Sequence, residues 1–132
     1  MRVRREEIAA TYLDALSDIA EVELPPRPSN RIHAWHLFSI RLRLETLAVD
    51  RSSFMSALKE AGVGCSVHWR PLHLHPYYQE TFGWRPEHCP VATREWERLI
   101  SLPIFSAMTD AEVDHVIATV RKTCQRTARI PA

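Results

Sequence analysis

The sequence predicts a two-layer α/β sandwich, a small sheet with helices covering one of its faces. Three observations predict it. Apolar residues recur at helical spacing in three separated stretches: Ile8, Tyr12, Leu16 and Ile19; Phe54, Ala57, Leu58 and Ala61; and Val113, Val116, Ile117 and Val120. Between the first two, Phe38, Ile40, Leu42 and Leu44 alternate with Ser39, Arg41 and Arg43, the period of a strand with one buried face. Helix and strand signals then alternate along 132 residues, a length suited to a single domain, residues 1–132, with a core of its own.

In chain order, the first helix is expected over residues 4–19. Prolines 25, 26 and 28 forbid helix in the connector that follows, residues 24–30. The α/β core is expected over 31–124. It opens with a strand from Ala34 to Leu44, and Asp50 can cap the second helix. Gly62 falls where a helix ends on a left-handed residue. A second strand is read over Cys65 to Arg70, with Cys65, Val67 and Trp69 on one face and Ser66, His68 and Arg70 on the other.

Pro76 suits the first turn of a short helix reaching Phe82 and closed by Gly83, and Pro90 opens another through Arg98. Ile100 to Pro103 reads as a short extended piece. Thr109 and Glu112 form a capping box for the last helix, with Arg121 and Lys122 at the negative end of its dipole. Burying Val113, Val116, Ile117 and Val120 contributes on the order of 6–12 kcal/mol as an upper bound. Residues 125–132 are expected to form a tail.

Composition excludes several classes of function. Fifteen arginines and two lysines are balanced by 16 acids, and a net charge of +1 removes the electrostatic drive of nucleic-acid binding. No apolar run reaches the roughly 18 residues of a membrane span. The basic start, Met1 to Glu7, lacks the apolar stretch of a signal peptide. Three cysteines, Cys65, Cys89 and Cys124, show no framework spacing and read as reduced thiols of a cytoplasmic protein.

The chemistry-bearing residues concentrate in Gly62 to Tyr78. His68, His73 and His75 with Cys65 or Cys89 lack the ligand spacing of a zinc site, so no metal is expected. Cys65 and His68, three apart in a strand, point to opposite faces and make a poor thiolate–imidazole pair. There is no nucleophile elbow, and Gly62-Val63-Gly64 precedes a strand instead of opening a phosphate-binding helix. His33 and His36 flank Trp35 as a packing pair bonded to backbone. Asp14, Asp18 and Glu21 read as a solvated face, and Tyr12, Trp84 and Trp96 as core or interface. Cys89 and Cys124 read as small buried hydrophobes. If Ser39, Arg41, Arg43, Ser66, His68 and Arg70 share the uncovered sheet face, that face meets either water or another domain.

Several motifs occur in a familiar order: His33-Ala34-Trp35-His36-Leu37-Phe38, Leu58-Lys59 with Ala61-Gly62-Val63-Gly64, His68-Trp69-Arg70-Pro71-Leu72-His73, Tyr77-Tyr78, Ile100-Ser101-Leu102-Pro103-Ile104-Phe105 and Met108-Thr109. From about Arg5 to Arg121 the chain resembles the C-terminal part of the DegT/StrS sugar aminotransferases. Within that family it is most similar to the type that aminates a UDP-linked 4-keto pentose.

The resemblance implies the small domain of the aspartate-aminotransferase architecture, of fold type I. It implies a complete enzyme about three times longer that uses pyridoxal phosphate to aminate a nucleotide-linked keto sugar in cell-surface polysaccharide or lipopolysaccharide biosynthesis. The large domain, with its Schiff-base lysine and phosphate loop, is not in this sequence, and neither Lys59 nor Lys122 matches that lysine. The chain by itself is therefore expected to hold no coenzyme and to contain no catalytic residue.

His68, His73 and Arg70 carry over as candidates to line the substrate cleft, and local hydrogen bonding is the alternative for both histidines. The expected partner is a large domain or a second copy of the chain. The alternative function is a non-catalytic interaction module.

Overall fold

The alternation of Phe38–Leu42 decides the layering. In the computed structural model, which describes residues 1–27 and 29–129, Phe38, Ile40 and Leu42 are fully buried while Ser39 and Arg41 are half-exposed on the opposite face. Three strands form one antiparallel sheet in the order β1-β2-β3: β1 (Val22–Glu23), β2 (Phe38–Leu42) and β3 (Leu99–Leu102). Val22 pairs with Leu42 on one edge of β2, and Ser39 pairs with Ser101 on the other. The helices are α1 (Arg2–Ala15), α2 (Arg51–Glu60), α3 (Pro76–Phe82), α4 (Pro90–Arg98) and α5 (Asp110–Thr127).

The apolar face of the sheet is covered by α1, α2 and α5, whose stripes meet it in one cluster. Tyr12 of α1 lies edge-on to Phe38 at 5.1 Å between ring centroids, and Trp35 packs on Phe38 at 5.6 Å. The Tyr12 hydroxyl donates to the Pro103 carbonyl at 3.0 Å, and burial raises its pKa well above the ordinary 10.0. The Trp35 indole N–H donates to Glu6 at 2.7 Å, so the large ring is buried without leaving its polar group unpaired.

The caps read from sequence are present. Asp50 accepts from the Ser53 amide at 2.8 Å, Glu112 accepts from the Thr109 amide at 2.7 Å, and Gly62 sits at φ 83°. Gly83 closes α3 at φ 65°.

Five boundaries differ from expectation. The first helix ends at Ala15 instead of residue 19, because the chain tightens into successive turns in which the Ser17 amide bonds Asp14 and the Ile19 amide bonds Leu16. The Ser17 hydroxyl also takes the Asp14 carbonyl at 2.7 Å, competing with helical pairing. Leu16 and Ile19 stay buried, so the stripe outlasts the helix. The strand expected over 34–44 is confined to Phe38–Leu42: Trp35 adopts φ 46° at one end, and Leu44–Thr46 form a 3-10 turn at the other.

The strand read over Cys65 to Arg70 is a single bridge, Ser66 to Ser101. Trp69, assigned with Cys65 and Val67 to the buried side, is 75% exposed, so the alternation there does not bury a face. The third strand is instead the unforeseen β1. The tail expected over 125–132 is helical to Thr127, and Ala128 bridges Leu47 while the Arg129 amide bonds the Thr46 carbonyl at 2.8 Å. Residues 130–132 and Pro28 of the expected linker lie outside the described residues.

Because α5 runs on, Arg121 and Lys122 stand in its body and not at its end. Arg121 reaches across to the end of α1, where it donates to the Ala15 carbonyl and pairs with Asp18. Asp14 and Asp18 lie on the exposed face expected of them, and Asp18 also gains this partner. Cys89, read as buried, is exposed. Trp84 lies 38% exposed beside α3 and not in the core.

Two measurements check this packing. Phe54→Ala, at a fully buried site of α2, is expected to destabilise the fold by about 3–5 kcal/mol in urea unfolding. Helix-capping bonds hold the Asp50 and Glu112 carboxyls below their ordinary values of 3.8 and 4.5. Stability from these groups is present above those values and is lost as pH falls through the lower folded-state pKa values. The urea midpoint should therefore fall in acid, and Glu112→Gln should flatten that fall.

Candidate functional site

The face of the sheet turned away from α1, α2 and α5 carries the candidate site. Ser39 of β2 and Ser101 of β3 are directly opposite in register, and their hydroxyls lie 3.1 Å apart. Beyond β3, the Ser66–Ser101 bridge fixes the chain two residues before His68. The His68 ring then turns back so that Nδ1 lies 3.0 Å from the Ser101 hydroxyl. Ser101 is 4% exposed, and His68 is half-buried with its ring edge-on to exposed Trp69 at 4.6 Å. A line of three polar groups thus runs from the middle of the sheet to its surface.

Of the six residues assigned to this face, Ser39 and His68 are brought together, each through its contact with Ser101. Arg41 is tied to Glu95 of α4 at 2.9 Å, and Arg98 bonds both Glu95 and Glu23. These pairs lay α4 along one end of the face and hold the Glu95 carboxyl below its ordinary value, the Arg98 hydrogen bond contributing most. Arg43 turns to the Ala20 and Val22 carbonyls, which it reaches at 2.6 and 3.2 Å. Ser66 contributes its backbone to the bridge, and its side chain is exposed.

Arg70 braces its own loop. It donates to the Leu74 carbonyl at 2.5 Å and lies 5.8 Å from the centroid of Trp96, over which Arg51 stacks at 4.6 Å. Arg51 also donates to the Trp96 carbonyl. His73 is 4% exposed and its Nε2 lies 2.7 Å from the Thr93 hydroxyl. That hydroxyl gives its single proton to the Pro86 carbonyl at 3.1 Å, so it accepts from His73 Nε2–H. His73 therefore pins the turn at Leu72–Leu74 to α4 and to the turn at Pro86–His88. His75 Nε2 lies 3.2 Å from the Arg70 carbonyl.

The three sequence candidates thus separate. His68 joins the polar line, Arg70 stands over Trp96 at the neighbouring loop, and His73 is enclosed behind them. Ser101 and Thr93 were missed. Ser101 had a signal, as the polar residue between Ile100 and Leu102 in an extended piece; Thr93 had none, because its partner is 20 residues away.

Other chemistry is not assembled. Burial raises the Cys65 thiol and pushes that of Cys124 up to about 12, the opposite of an activated nucleophile. Among the described residues, no group of three or more His, Cys, Asp and Glu is placed to hold a metal ion. No helix among them is long and apolar enough to cross a membrane. His33 supports Trp35 as expected, the Trp35 amide donating to His33 Nδ1 at 2.9 Å, whereas His36 is exposed and forms no such contact among the described residues.

The sequence pattern of the DegT/DnrJ/EryC1/StrS aminotransferase family matches residues 1–121. The chain belongs to this family. It is 41% identical over 122 residues to the spore coat polysaccharide biosynthesis protein SpsC of Bacillus subtilis, covering 92% of this chain and 31% of that protein. An uncharacterized protein of Methanocaldococcus jannaschii is also 41% identical over 122 residues, 92% of this chain and 32% of its own length.

Among solved structures, the aminotransferase TlmJ from Streptoalloteichus hindustanus superposes with a TM-score of 0.79 at 27% identity, over 95% of this chain and 32% of that one. Helicobacter pylori PseC, an aminotransferase involved in the biosynthesis of pseudoaminic acid, gives 0.86 at 22% identity, over 95% and 33%. That second likeness concerns the fold alone, a mixed α/β small domain of the fold-type I architecture. The chain spans about a third of the length of the relatives it matches.

The family uses pyridoxal phosphate. The residues of this chain do not fit that coenzyme's needs, since its Schiff base requires a lysine in an enclosed site. The two lysines, Lys59 and Lys122, are exposed on α2 and α5, away from the line of Ser39, Ser101 and His68.

Replacing Thr93 with valine tests the brace. Thr93→Val removes both the acceptor for buried His73 and the bond to Pro86, so amide exchange over residues 72–89 should quicken. Global stability should fall by only about 1–3 kcal/mol. Unchanged exchange in that segment would show that the brace lies elsewhere.

Proposed function

We propose that this chain is the C-terminal small domain of a sugar aminotransferase, lining one wall of a cleft whose other wall and coenzyme belong to a large domain. The observation that carries this reading is the polar line Ser39–Ser101–His68 on the face away from the core, in a chain of this family that matches a third of its relatives' length. At 4% exposure the Ser101 hydroxyl is partnered by Ser39 and His68, so the end of the line that faces outward is the half-buried imidazole.

In this reading His68 stands at the cleft and Arg70 at its rim, where a guanidinium over an indole is oriented to meet a phosphate or sugar oxygen. His73 lines the cleft only indirectly, by fixing the loop that carries Arg70. The closed domain excludes water from the reacting groups, and the coenzyme, held by the large domain, carries the amino group, with glutamate as the expected donor. The substrate class is a nucleotide-linked keto sugar of cell-surface polysaccharide or lipopolysaccharide biosynthesis. The UDP-linked 4-keto pentose is the specific expectation, and the setting is cytoplasmic.

A second reading is favoured by the aromatic rings beside the site. Trp69, Tyr77 and Phe82 are 75%, 64% and 57% exposed. In that reading the chain is a non-catalytic module that pairs with another chain or with itself.

Reconstitution separates the two. The chain is mixed with a homologous sugar aminotransferase lacking its own final third, and transamination is assayed with pyridoxal phosphate. Activity is expected only in the mixture, with no Schiff-base absorbance when the chain is alone with the coenzyme. Self-association without binding to the large domain would favour the module. Within a complete homologous enzyme, changing the histidine that matches His68 to alanine should lower kcat about tenfold to a hundredfold without unfolding the protein. An unaltered kcat would remove His68 from the site.

A further inference from the structure

Serine carries one proton, and that simple count limits the polar line to two directions. The Ser101 hydroxyl lies 3.0 Å from His68 Nδ1 and 3.1 Å from the Ser39 hydroxyl, and at 4% exposure it is closed to water. Its proton therefore goes to one neighbour or the other. If it goes to Ser39, then His68 must donate from Nδ1, the less favoured tautomer of a neutral imidazole, and the half-exposed Ser39 hydroxyl passes its own proton to water. If it goes to His68 Nδ1, Ser39 donates to Ser101 and every proton in the line has an acceptor. Both arrangements satisfy the hydroxyls, and the second also leaves the imidazole in its intrinsically favoured Nε2–H form, so the second prevails.

We propose that Ser39 and Ser101 form a one-way hydroxyl relay that holds neutral His68 with its proton on Nε2. Ser101 is then a positioning residue. His68 presents a hydrogen-bond donor, not a base, to an oxygen atom entering the cleft. Among the described residues Nε2 has no protein partner, while the ring is oriented from behind by Ser101 and flanked by Trp69. The nearby charges do not compete for the line: Arg41 and Glu95 are engaged with each other at 2.9 Å, and Arg70 is turned to the Leu74 carbonyl. The use of the donor rests on the cleft reading above, but the relay itself is a property of this chain.

The test is nitrogen NMR of the imidazoles in the intact 132-residue chain, at a pH where the histidines are neutral. The expected spectrum shows His68 with Nε2 protonated and Nδ1 bare. Ser101→Ala should move the ratio of the two tautomers by roughly fivefold towards Nδ1–H, the weight of one neutral hydrogen bond. Ser39→Ala should leave the ratio in place, because Ser101 still donates to Nδ1; in a relay running the other way it would shift the ratio.

A parent spectrum dominated by Nδ1–H, a ratio unmoved by Ser101→Ala, or one shifted by Ser39→Ala would each overturn the proposal. Should Ser101→Ala fail to fold, the parent and Ser39→Ala spectra decide. None of these spectra requires a large domain, so failure here and failure of reconstitution are separate results.

Discussion

Ser101 is the joint on which the two halves of this molecule depend. Its backbone pairs with Ser39 across the sheet, and on the other side it exchanges two bonds with Ser66, at 2.8 and 3.2 Å. Through that second contact the long excursion from Gly62 to Arg98 is referred to the sheet, although it contributes no strand to it. The flanking residues Ile100 and Leu102 are buried. A shift of register by one residue would turn Ser101 into the helices and expose its neighbours, so burial of Ile100 and Leu102 fixes where the hydroxyl points.

The core enforces the rest by long-range arginine contacts. Arg4 of α1 donates to the Met108 carbonyl at 2.8 Å and pairs with Asp110 at the start of α5, while Arg121 of α5 closes the end of α1. The two helices are thus tied at both ends, each by a guanidinium bonded to backbone as well as to a carboxylate. Exposed ion pairs alone add little stability; a guanidinium that also satisfies a backbone carbonyl, for Arg121 the helix-end carbonyl of Ala15, supplies orientation. The stability of the layer against the sheet comes mainly from the apolar cluster between them.

This division suits the proposed role as one domain of a two-part enzyme. One face is closed by helices and supports the apolar core. The other face offers polar groups and exposed rings, with α4 held along one end through Arg41, Arg98, Glu95 and Glu23. The segment from Trp69 to Val91, where the exposed aromatics concentrate, is held by hydrogen bonds such as His73–Thr93 more than by burial. Such a segment can adjust to a partner at small cost while the sheet stays fixed.

The order of the five helices, the caps at Asp50, Thr109, Gly62 and Gly83, and the alternation of Phe38 to Leu42 were legible in the sequence, because each depends on residues within a few positions of one another. So was the family, through motifs kept in order. The end of α1, the extent of α5 and the loss of the expected 65–70 strand were not, because competing turns and distant partners decide them: Asp14 with Ser17, Leu47 with Ala128, and a single bridge at Ser66. The candidate site divides the same way. His68 could be singled out by its place beside a strand-like stretch, but its partner Ser101 is 33 residues on, and only tertiary packing brings hydroxyl and imidazole to 3.0 Å. Local pattern determines which face of an element is polar; the fold alone decides which polar groups meet there.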